Sequence, residues 1–255
     1  MKRLRVLHLG DVSGAPGMRA LFLGLSSLIS EEKIDFVIAN GENSAGGFGI
    51  GVEEYDSMLN MGIDVITSGN HIWQKEEIFS ILDRSDRILR PLNYPEGAHG
   101  RGWTIRNGIA VINAQGRISM PMTDCPFRTV GAAVSRIRKT TPLIFVDFHA
   151  EHTEEKEAFA FYLDGKVTSV VGTHTHTQTR DNRILPNGTA YITDLGITGC
   201  LDGVIGSRED KAIERALTQL PIRSEVKDSV GHIQGVIVEA DMETGKALSI
   251  ERFTR

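Results

Sequence analysis

The chain has 255 residues, of which 40% are hydrophobic and 24% are charged, and its formal net charge is −5. This length and composition predict one domain over residues 1–255 with a substantial core, not a disordered or fibrous chain. The acidic balance argues against binding of long nucleic acid through phosphate neutralisation. The sequence contains no run of about 18 consecutive apolar residues, so no membrane span is predicted.

Short apolar runs alternate with helix-like stretches along the chain. The runs predict strands at 4–10, 34–40, 63–68, 143–148 and 167–171. Helices are predicted between them at 16–31, 52–61, 74–83, 128–139 and 153–164. Further strands are predicted at 102–107, 109–114, 189–194, 232–240 and 246–253, with a turn at 242–245. Strands of two kinds predict an α/β fold in which two mixed sheets pack face to face between helices.

Polar side chains able to bind a metal follow each of the first five runs. These residues are Asp11, then Glu42 and Asn43, then Asn70 and His71, then His149, and finally His174 and His176. Because carboxyl ends of strands line the ligand crevice of open α/β sheets, we expect all five ends to converge on one site. The last two histidines are one residue apart, and an extended segment would direct both imidazoles to the same side.

Each residue considered separately has a structural alternative. Asp11 or Asn70 could cap a helix or stabilise a turn, and His149 could be a buried histidine of the core. Glu42 and Asn43 could be ordinary loop residues. His174 and His176 could be solvated on an exposed strand face. The presence of metal-binding residue types at all five strand ends favours a shared metal site.

The types of donor indicate the metal and the reaction. Carboxylate, imidazole and amide donors without cysteine are typical of Mn, Fe or Zn in open coordination. The donors other than His71 exceed the four that one tetrahedral ion takes, whereas two ions about 3.5–4 Å apart would use them all. Such a pair binds both the attacking and the leaving oxygen of a phosphoryl group, which predicts phosphoester hydrolysis.

The order of these motifs resembles the calcineurin-like metallophosphoesterases. The motifs are Gly10-Asp11, Gly41-Glu42-Asn43, Gly69-Asn70-His71, His149 and Gly172-Thr173-His174-Thr175-His176. The stretches 41–47 and 67–73 are similar to the YmdB-type bacterial subgroup, and this resemblance extends over the whole chain. The resemblance implies a four-layer α-β-β-α sandwich and a phosphodiesterase that hydrolyses 2′,3′-cyclic nucleotides such as 2′,3′-cyclic AMP.

The resemblance also implies a role for each donor. Glu42 would bridge the two ions. Asp11 and His176 would bind the first ion, and Asn70, His149 and His174 the second. The wider family usually has a histidine two residues after its first aspartate, where this chain has Ser13, and an aspartate where it has Glu42. The subgroup's pattern implies that Asn43 replaces the missing histidine, and an amide oxygen there favours Fe or Mn over Zn.

His71 is predicted to face the substrate instead of a metal ion. It would assist the leaving oxygen as a general acid or donate a hydrogen bond to the phosphoryl oxygens. Neutral imidazole and imidazolium both remain open. The predicted nucleophile is a metal-bridging hydroxide. A covalent mechanism through Ser13 is disfavoured because no base is apparent beside it.

Two irregular segments are predicted to shape the pocket. The first is the glycine-rich loop at 44–51. The second, at 115–128, is predicted to be a lid or an oligomer contact, with its Met and Phe side chains more often packed than stacked on a nucleobase.

The remaining predictions concern location and alternative functions. Cys125 and Cys200 lie outside any metal-binding spacing, which predicts two ordinary thiols in a cytoplasmic protein. A homo-oligomer is possible. The expected partner is a small phosphodiester or cyclic nucleotide, with no long nucleic acid and no membrane. A phosphomonoesterase or nuclease with the same site is the first alternative. A metal-binding regulatory protein that acts through a partner is the second.

Overall fold

The computed structural model describes residues 2–255. Its strands are β1 (Arg3–Leu9), β2 (Asp11–Val12), β3 (Phe36–Asn40), β4 (Val65–Thr67), β5 (Trp103–Arg106), β6 (Ile109–Gln115), β7 (Ile144–His149), β8 (Ser169–Thr173), β9 (Arg183–Ile184), β10 (Ala190–Ile192), β11 (Ile197–Cys200), β12 (Gly231–His232), β13 (Gln234–Asp241) and β14 (Ala247–Thr254). Its α-helices are α1 (Gly14–Glu31), α2 (Val52–Asn60), α3 (Phe79–Arg84), α4 (Pro126–Ile137), α5 (Thr153–Leu163) and α6 (Glu209–Thr218).

Two mixed sheets form the centre of the molecule. The first sheet has the strand order β14-β13-β1-β3-β4, and the second has the order β5-β6-β7-β8-β10-β9. β1, β3 and β4 run parallel to one another, as do β6, β7, β8 and β10. Side chains such as Val6, Ile38, Val111 and Phe145 form a buried core between the sheets.

Helices cover the outer face of each sheet. Leu21, Leu25 and Met58 of α1 and α2 pack with Leu7 and Val37 on the far side of the first sheet. Val130 and Phe159 of α4 and α5 pack with Val146 and Phe148 on the far side of the second. The alternation along each strand therefore divides its side chains between two cores. The layers follow the order helix, sheet, sheet, helix, which confirms the predicted α-β-β-α sandwich.

Every predicted strand and helix is found close to its predicted bounds, with one exception. The sequence predicts one helix over 74–83. The structure instead has two short 3-10 turns, Ile72–Gln74 and Glu76–Ile78, and α3 begins only at Phe79. The final hairpin turns where expected, and the Gly245 amide donates to the Asp241 carbonyl at 2.8 Å.

A third, small sheet and the segment that connects two of its strands were not predicted. β12, β11 and β2 form this sheet beside α1, and the connection 201–230 carries α6, of which no residue is buried. Strands of two to four residues are too short for an alternating pattern to show. Among the helices of residues 2–255, none combines the length and the apolar character that crossing a bilayer requires.

A buried ion pair supports the turn that follows β8. The Lys156 ammonium lies 2.8 Å from the Asp194 carboxylate, and the two side chains are 1% and 0% exposed. Asp194 also accepts hydrogen bonds from the backbone amides of Thr175 and Gly196 at 3.1 and 2.9 Å. Both carboxylate oxygens are therefore engaged, and the buried negative charge depends on the lysine for its balance.

We expect Lys156→Met to lower the free energy of unfolding by about 3–5 kcal/mol, because it leaves a buried carboxylate without its cation. Lys211→Met provides the control, since Lys211 pairs with Glu214 at the surface and its loss should cost less than about 1 kcal/mol. Urea denaturation of both variants measures the difference. Equal midpoints for the two variants would contradict the role given to the buried pair.

Candidate metal centre

The five polar strand ends meet at one edge of the sandwich, as the sequence predicted. Glu42 and Asn43 follow β3, Asn70 and His71 follow β4, and Asp11 follows β1 in the first sheet. His149 is the last residue of β7, and His174 and His176 follow β8 in the second sheet. Distances below 4 Å connect these side chains to one another, and Asn70 lies directly before His71, whose amide donates to Glu42.

Glu42 is at the centre of this cluster. Its Oε1 lies 3.0 Å from Nε2 of His149 and 3.6 Å from Nδ1 of His71, and its Oε2 accepts from the His71 amide at 3.1 Å. Burial alone would raise the pKa of Glu42, but the His149 charge and hydrogen bond outweigh it and bring the pKa to about 2. Burial works to lower the pKa of His149, and Glu42 reverses this effect and raises it to about 9.

The protonation of Nδ1 of His149 is fixed by a chain of hydrogen bonds. Thr173 donates its hydroxyl proton to the buried Asp147 carboxylate at 2.7 Å, so it can only accept from His149 Nδ1 at 2.9 Å. Nδ1 of His149 therefore carries a proton. Its Nε2 faces Glu42 and is the nitrogen available to bind a cation.

The same reasoning applies to the other two histidines. Nε2 of His174 lies 3.1 Å from the Glu151 carboxylate, and Nδ1 of His176 lies 3.0 Å from the Ile205 carbonyl. Both oxygens only accept, so each of these nitrogens donates. The remaining nitrogens, Nδ1 of His174 and Nε2 of His176, point into the cluster.

Two inward-facing nitrogens are in close contact. Nδ1 of His174 and Nε2 of His149 are 3.0 Å apart, and two lone pairs at this distance repel unless a proton or a metal ion lies between them. Burial and then the charge of His149 lower the pKa of His174 to about 3, so without a metal ion the proton between the two nitrogens is that of the charged His149 ring. Ligand atoms of Glu42, His149 and His174 all lie within 4.8 Å of one another, a set that could hold a metal ion.

Two buried oxygens of the cluster have no hydrogen-bond partner within residues 2–255, namely Oδ1 of Asp11 and Oδ1 of Asn70. Oδ2 of Asp11 accepts from the His174 amide at 2.9 Å and lies 3.6 Å from Nε2 of His176. Burial raises the pKa of Asp11 to about 7. Buried acceptors without donors are uncommon in proteins, and cations are what such oxygens bind. The residues therefore fit metal ions.

The two histidines after β8 are not placed as the extended-segment argument expected. β8 ends at Thr173, and His174 and His176 have φ angles of 104° and 61°. Residues other than glycine pay about 1–3 kcal/mol in this region of φ, a strain typical of functional sites. The turn directs the histidines to different partners, His149 and Asp11, instead of placing both on one face of a strand.

Gly69 allows the first sheet to approach the cluster. A Cβ atom at this position would lie 2.3 Å from Nε2 of His149 and 2.4 Å from Oε2 of Glu42. Any side chain there would displace both groups, so the Gly-Asn-His motif needs its glycine for space.

A pocket of about 280 Å³ opens beside the cluster. The loop 44–51 supplies Gly47 and Phe48, which confirms that this loop shapes the pocket. The connection 201–230 supplies Ile205, Ser207, Ser224 and Val226, which the sequence did not predict. The segment 115–128 supplies no lining residue to this pocket, and its role as a lid or an oligomer contact stays a prediction. Met122 of this segment is 97% exposed, whereas Phe127 packs edge-on against Phe159.

His71 also lines this pocket, as predicted. Its Nδ1 donates to Oδ1 of Asn43 at 2.8 Å, which leaves Nε2 as the nitrogen without an assigned proton. Burial lowers the pKa of His71, which favours the neutral ring. The edge of the Phe48 ring contacts the imidazole, with 5.1 Å between the ring centroids, and limits its movement.

Four functional residues were missed by the sequence reasoning: Asp147, Glu151, Thr173 and Ile205. Asp147 could have been found, because it precedes His149 by two residues on a strand and so shares its face. Glu151 follows His149 by the same spacing, but outside the strand. Nothing in the sequence indicates that the carbonyl of Ile205 approaches His176.

The cysteines are both thiols in the structure. Cys200 is buried and Cys125 is partly exposed, and neither forms a disulfide. The prediction of two ordinary thiols agrees with this arrangement.

Comparisons with known proteins identify the chain's relatives. The family model described as YmdB-like protein matches residues 7–253. A 2′,3′-cyclic-nucleotide 2′-phosphodiesterase of Bacillus subtilis is 46% identical, over 98% of this chain and 96% of that protein. A crystal structure described as a novel phosphatase of Mycoplasma pneumoniae has a TM-score of 0.93 at 32% identity, over 100% of this chain and 94% of that one. A hypothetical protein of Thermus thermophilus has a TM-score of 0.89 at 36% identity, over 99% of both chains.

These matches extend over nearly the whole chain, and they include every strand end that contributes to the cluster. The chain belongs to the YmdB-like family, as its motifs predicted.

Proposed function

We propose that the chain is a phosphodiesterase that uses two metal ions to hydrolyse small phosphodiesters, with 2′,3′-cyclic nucleotides such as 2′,3′-cyclic AMP as substrates. The observation that carries the proposal is the convergence of three histidine nitrogens and two unpartnered oxygens around the buried Glu42. Membership of the family gives the broader reaction class. The chain is a phosphoric diester hydrolase, like its relative from Bacillus subtilis, and the substrate proposed here is the one in that relative's name.

The proposed ligands form two groups that share Glu42. His149, His174 and Asn70 form one group, supported by the contact between the two imidazoles and by the unpartnered Asn70 oxygen. Asp11, His176 and Asn43 form the other. Its support is the 3.6 Å approach of Nε2 of His176 to Oδ2 of Asp11. Asn43 adjoins this pair, but through its amide nitrogen, which lies 3.1 Å from Nε2 of His176.

Iron or manganese is the proposed metal, in preference to zinc. The two groups contain carboxylate and amide oxygens as well as imidazole, and they contain no thiolate. Oxygen-rich sets with imidazole suit Fe and Mn.

When bound, two such ions supply a water that is deprotonated at neutral pH, and they neutralise charge on the phosphoryl oxygens. The side chains orient and support this chemistry. Glu151, Thr173 and the Ile205 carbonyl hold the three imidazoles with their donor nitrogens inward. His71 faces the substrate from the pocket wall. Because its Nδ1 proton is donated to Asn43, only the protonated ring can give a proton to the leaving oxygen through Nε2.

The pocket supports a small substrate. About 280 Å³ lies at the lower end of the range of ligand pockets in proteins. Phe48, Ile205 and Val226 offer apolar surface, and Ser207 and Ser224 offer hydroxyl groups. This lining suits a nucleoside, which has an apolar face and polar edges. The cytoplasmic location and the homo-oligomer stay predictions.

A phosphomonoesterase is the second candidate function, because the Mycoplasma pneumoniae structure is described as a phosphatase. Both reactions use the same ions and differ in which ester oxygens the pocket accommodates.

We expect the purified protein with Mn²⁺ to hydrolyse 2′,3′-cyclic AMP in preference to a phosphomonoester such as 3′-AMP. Chelation with EDTA should abolish the activity, and Mn²⁺ in excess should restore it. Phosphate release and nucleotide chromatography measure both substrates. Preference for the monoester would favour the phosphatase, and no cleavage of either nucleotide would overturn the proposed function.

We expect Glu42→Ala to lose at least one metal ion per chain, because Glu42 is the carboxylate shared by both proposed ligand groups. Elemental analysis of the purified variant by mass spectrometry measures this loss. Glu154→Ala, which removes an exposed carboxylate at the start of α5, is the control and should retain the full metal content. Full occupancy in Glu42→Ala would refute the bridging role.

We expect His71→Ala to retain its metal ions and to lower turnover by about 10²–10⁴-fold, the range typical of general acid–base catalysis. The backbone hydrogen bond from residue 71 to Glu42 does not depend on the side chain, so the cluster should persist. His99→Ala removes an imidazole that pairs with Asp83 at the surface and serves as the control. Unchanged turnover in His71→Ala would show that the imidazole has no part in the reaction.

A further inference from the structure

A second cavity adjoins the metal centre, and its chemistry differs from that of the first. It has a volume of about 420 Å³ and includes Gln178, Arg180, Gln234, Arg252 and Thr254 among its lining residues. We refer to it as the arginine pocket. No aspartate or glutamate of residues 2–255 lines it, although the chain has more acidic than basic residues.

The two guanidinium groups of this pocket are available to bind a ligand. Arg180 and Arg252 are both exposed, and neither has an ion pair or a side-chain hydrogen bond within the part of the chain that the structure describes. Nearby arginines are paired, since Arg183 contacts Glu157 and Asp181, and Arg255 contacts Glu31 and Glu32. The positive charge of the pocket is therefore not neutralised by the protein.

The backbone that carries these arginines is held in place by amide side chains. Nε2 of Gln178 reaches the carbonyls of Leu195, Gly235 and Phe253 at 3.1–3.2 Å, which ties the segment after His176 to β13 and β14. Nε2 of Gln234 donates to the Thr254 hydroxyl at 3.2 Å. The segments that carry Arg180 and Arg252 thus share one network of hydrogen bonds.

A thin wall separates the arginine pocket from the metal centre. His176 and Ile205 line both cavities, and the hydrogen bond from Nδ1 of His176 to the Ile205 carbonyl forms part of the wall. A ligand in the arginine pocket would lie beside the histidine whose other nitrogen faces the metal centre. The two cavities are therefore close enough for one elongated substrate to contact both.

Guanidinium groups bind phosphate through paired, charge-assisted hydrogen bonds. The two guanidinium groups and the absence of carboxylates from the lining of the described pocket argue against a site for metal cations or amines. The lining thus favours a phosphate group.

We propose that the arginine pocket is a second phosphate subsite, which binds a phosphate that the substrate carries in addition to the one that is cleaved. The substrate class is then a short oligonucleotide end that terminates in a 2′,3′-cyclic phosphate, with its adjacent phosphodiester in the arginine pocket. This inference rests on the proposed function. Free phosphate would bind the same guanidinium groups. A comparison of two substrates distinguishes it from a phosphate of the substrate.

The test compares two substrates that share the same reacting group. Hydrolysis of 2′,3′-cyclic AMP and of the dinucleotide adenylyl-adenosine 2′,3′-cyclic phosphate is measured for the metal-loaded wild type and for Arg180→Ala/Arg252→Ala. We expect the double variant to lose about 10- to 100-fold in kcat/KM on the dinucleotide, mainly through KM, as for two charge-assisted hydrogen bonds. Its activity on 2′,3′-cyclic AMP should stay within about threefold of wild type.

Arg128→Ala/Arg136→Ala is the matched control, because it removes the same charge from α4, away from both cavities. It should leave the ratio of the two substrates unchanged. Equal losses on both substrates in the Arg180/Arg252 variant, or an equal loss on the dinucleotide in the control, would overturn the proposal.

A binding measurement separates this proposal from the proposed function. Calorimetric titration with inorganic phosphate should give two sites in the metal-loaded wild type and one in the Arg180/Arg252 variant. If the wild type cleaves neither nucleotide, and the variant still binds one phosphate fewer than the wild type, the proposed function fails and the anion subsite stands. If that site is lost while the substrate ratio is unchanged, the pocket binds free phosphate and the assignment to the substrate is wrong.

Discussion

The buried carboxylate of Asp147 is the group on which the geometry of the candidate metal centre depends. It lies between the two sheets and accepts hydrogen bonds from Thr67 and Asn40 of the first sheet and from Thr173 of the second. Burial raises the pKa of Asp147, and these donors oppose that effect. Because Thr173 gives its proton to Asp147, His149 must donate through Nδ1, and its Nε2 is left for the cluster. One carboxylate outside the proposed ligand set thus fixes the tautomer of a histidine within it.

Much of the centre could be predicted from the sequence because parallel strands bring their carboxyl ends to one edge. Asp11, Glu42, Asn70 and His149 each follow an apolar run, and the sheet order then brings them together without further information. The four-layer architecture was predictable for the same reason, since the runs alternate with helices that must cover both sheets. The prediction failed where short-range pattern carries no signal. Two-residue strands, the 3-10 turns after His71 and the position of the Ile205 carbonyl depend on tertiary contacts alone.

The turn after β8 shows how strain and burial are combined at this edge. His174 and His176 adopt backbone conformations that favour glycine, and they are held there by acceptors on either side. Asp11 accepts from the His174 amide, and Asp194 accepts from the Thr175 amide while Lys156 balances its charge. Three further buried carboxyl groups, those of Asp11, Glu42 and Asp147, lie inside the molecule on this side of His176. The arginine pocket on its other side is positive. With the proposed ions bound, both sides of the His176 imidazole would attract phosphate.

The donors of the centre are divided between the two halves of the sandwich. Asp11, Glu42, Asn43 and Asn70 follow strands of the first sheet, and His149, His174 and His176 belong to the second. An ion held by both groups would act as a removable cross-link between sheets that otherwise meet through apolar side chains and the hydrogen bonds of Asp147. Because it would bind the assembled sandwich and not the separated halves, the ion concentration of the surroundings would enter the stability of the fold by mass action. The chain loaded with metal ions would then resist unfolding more than the same chain without them.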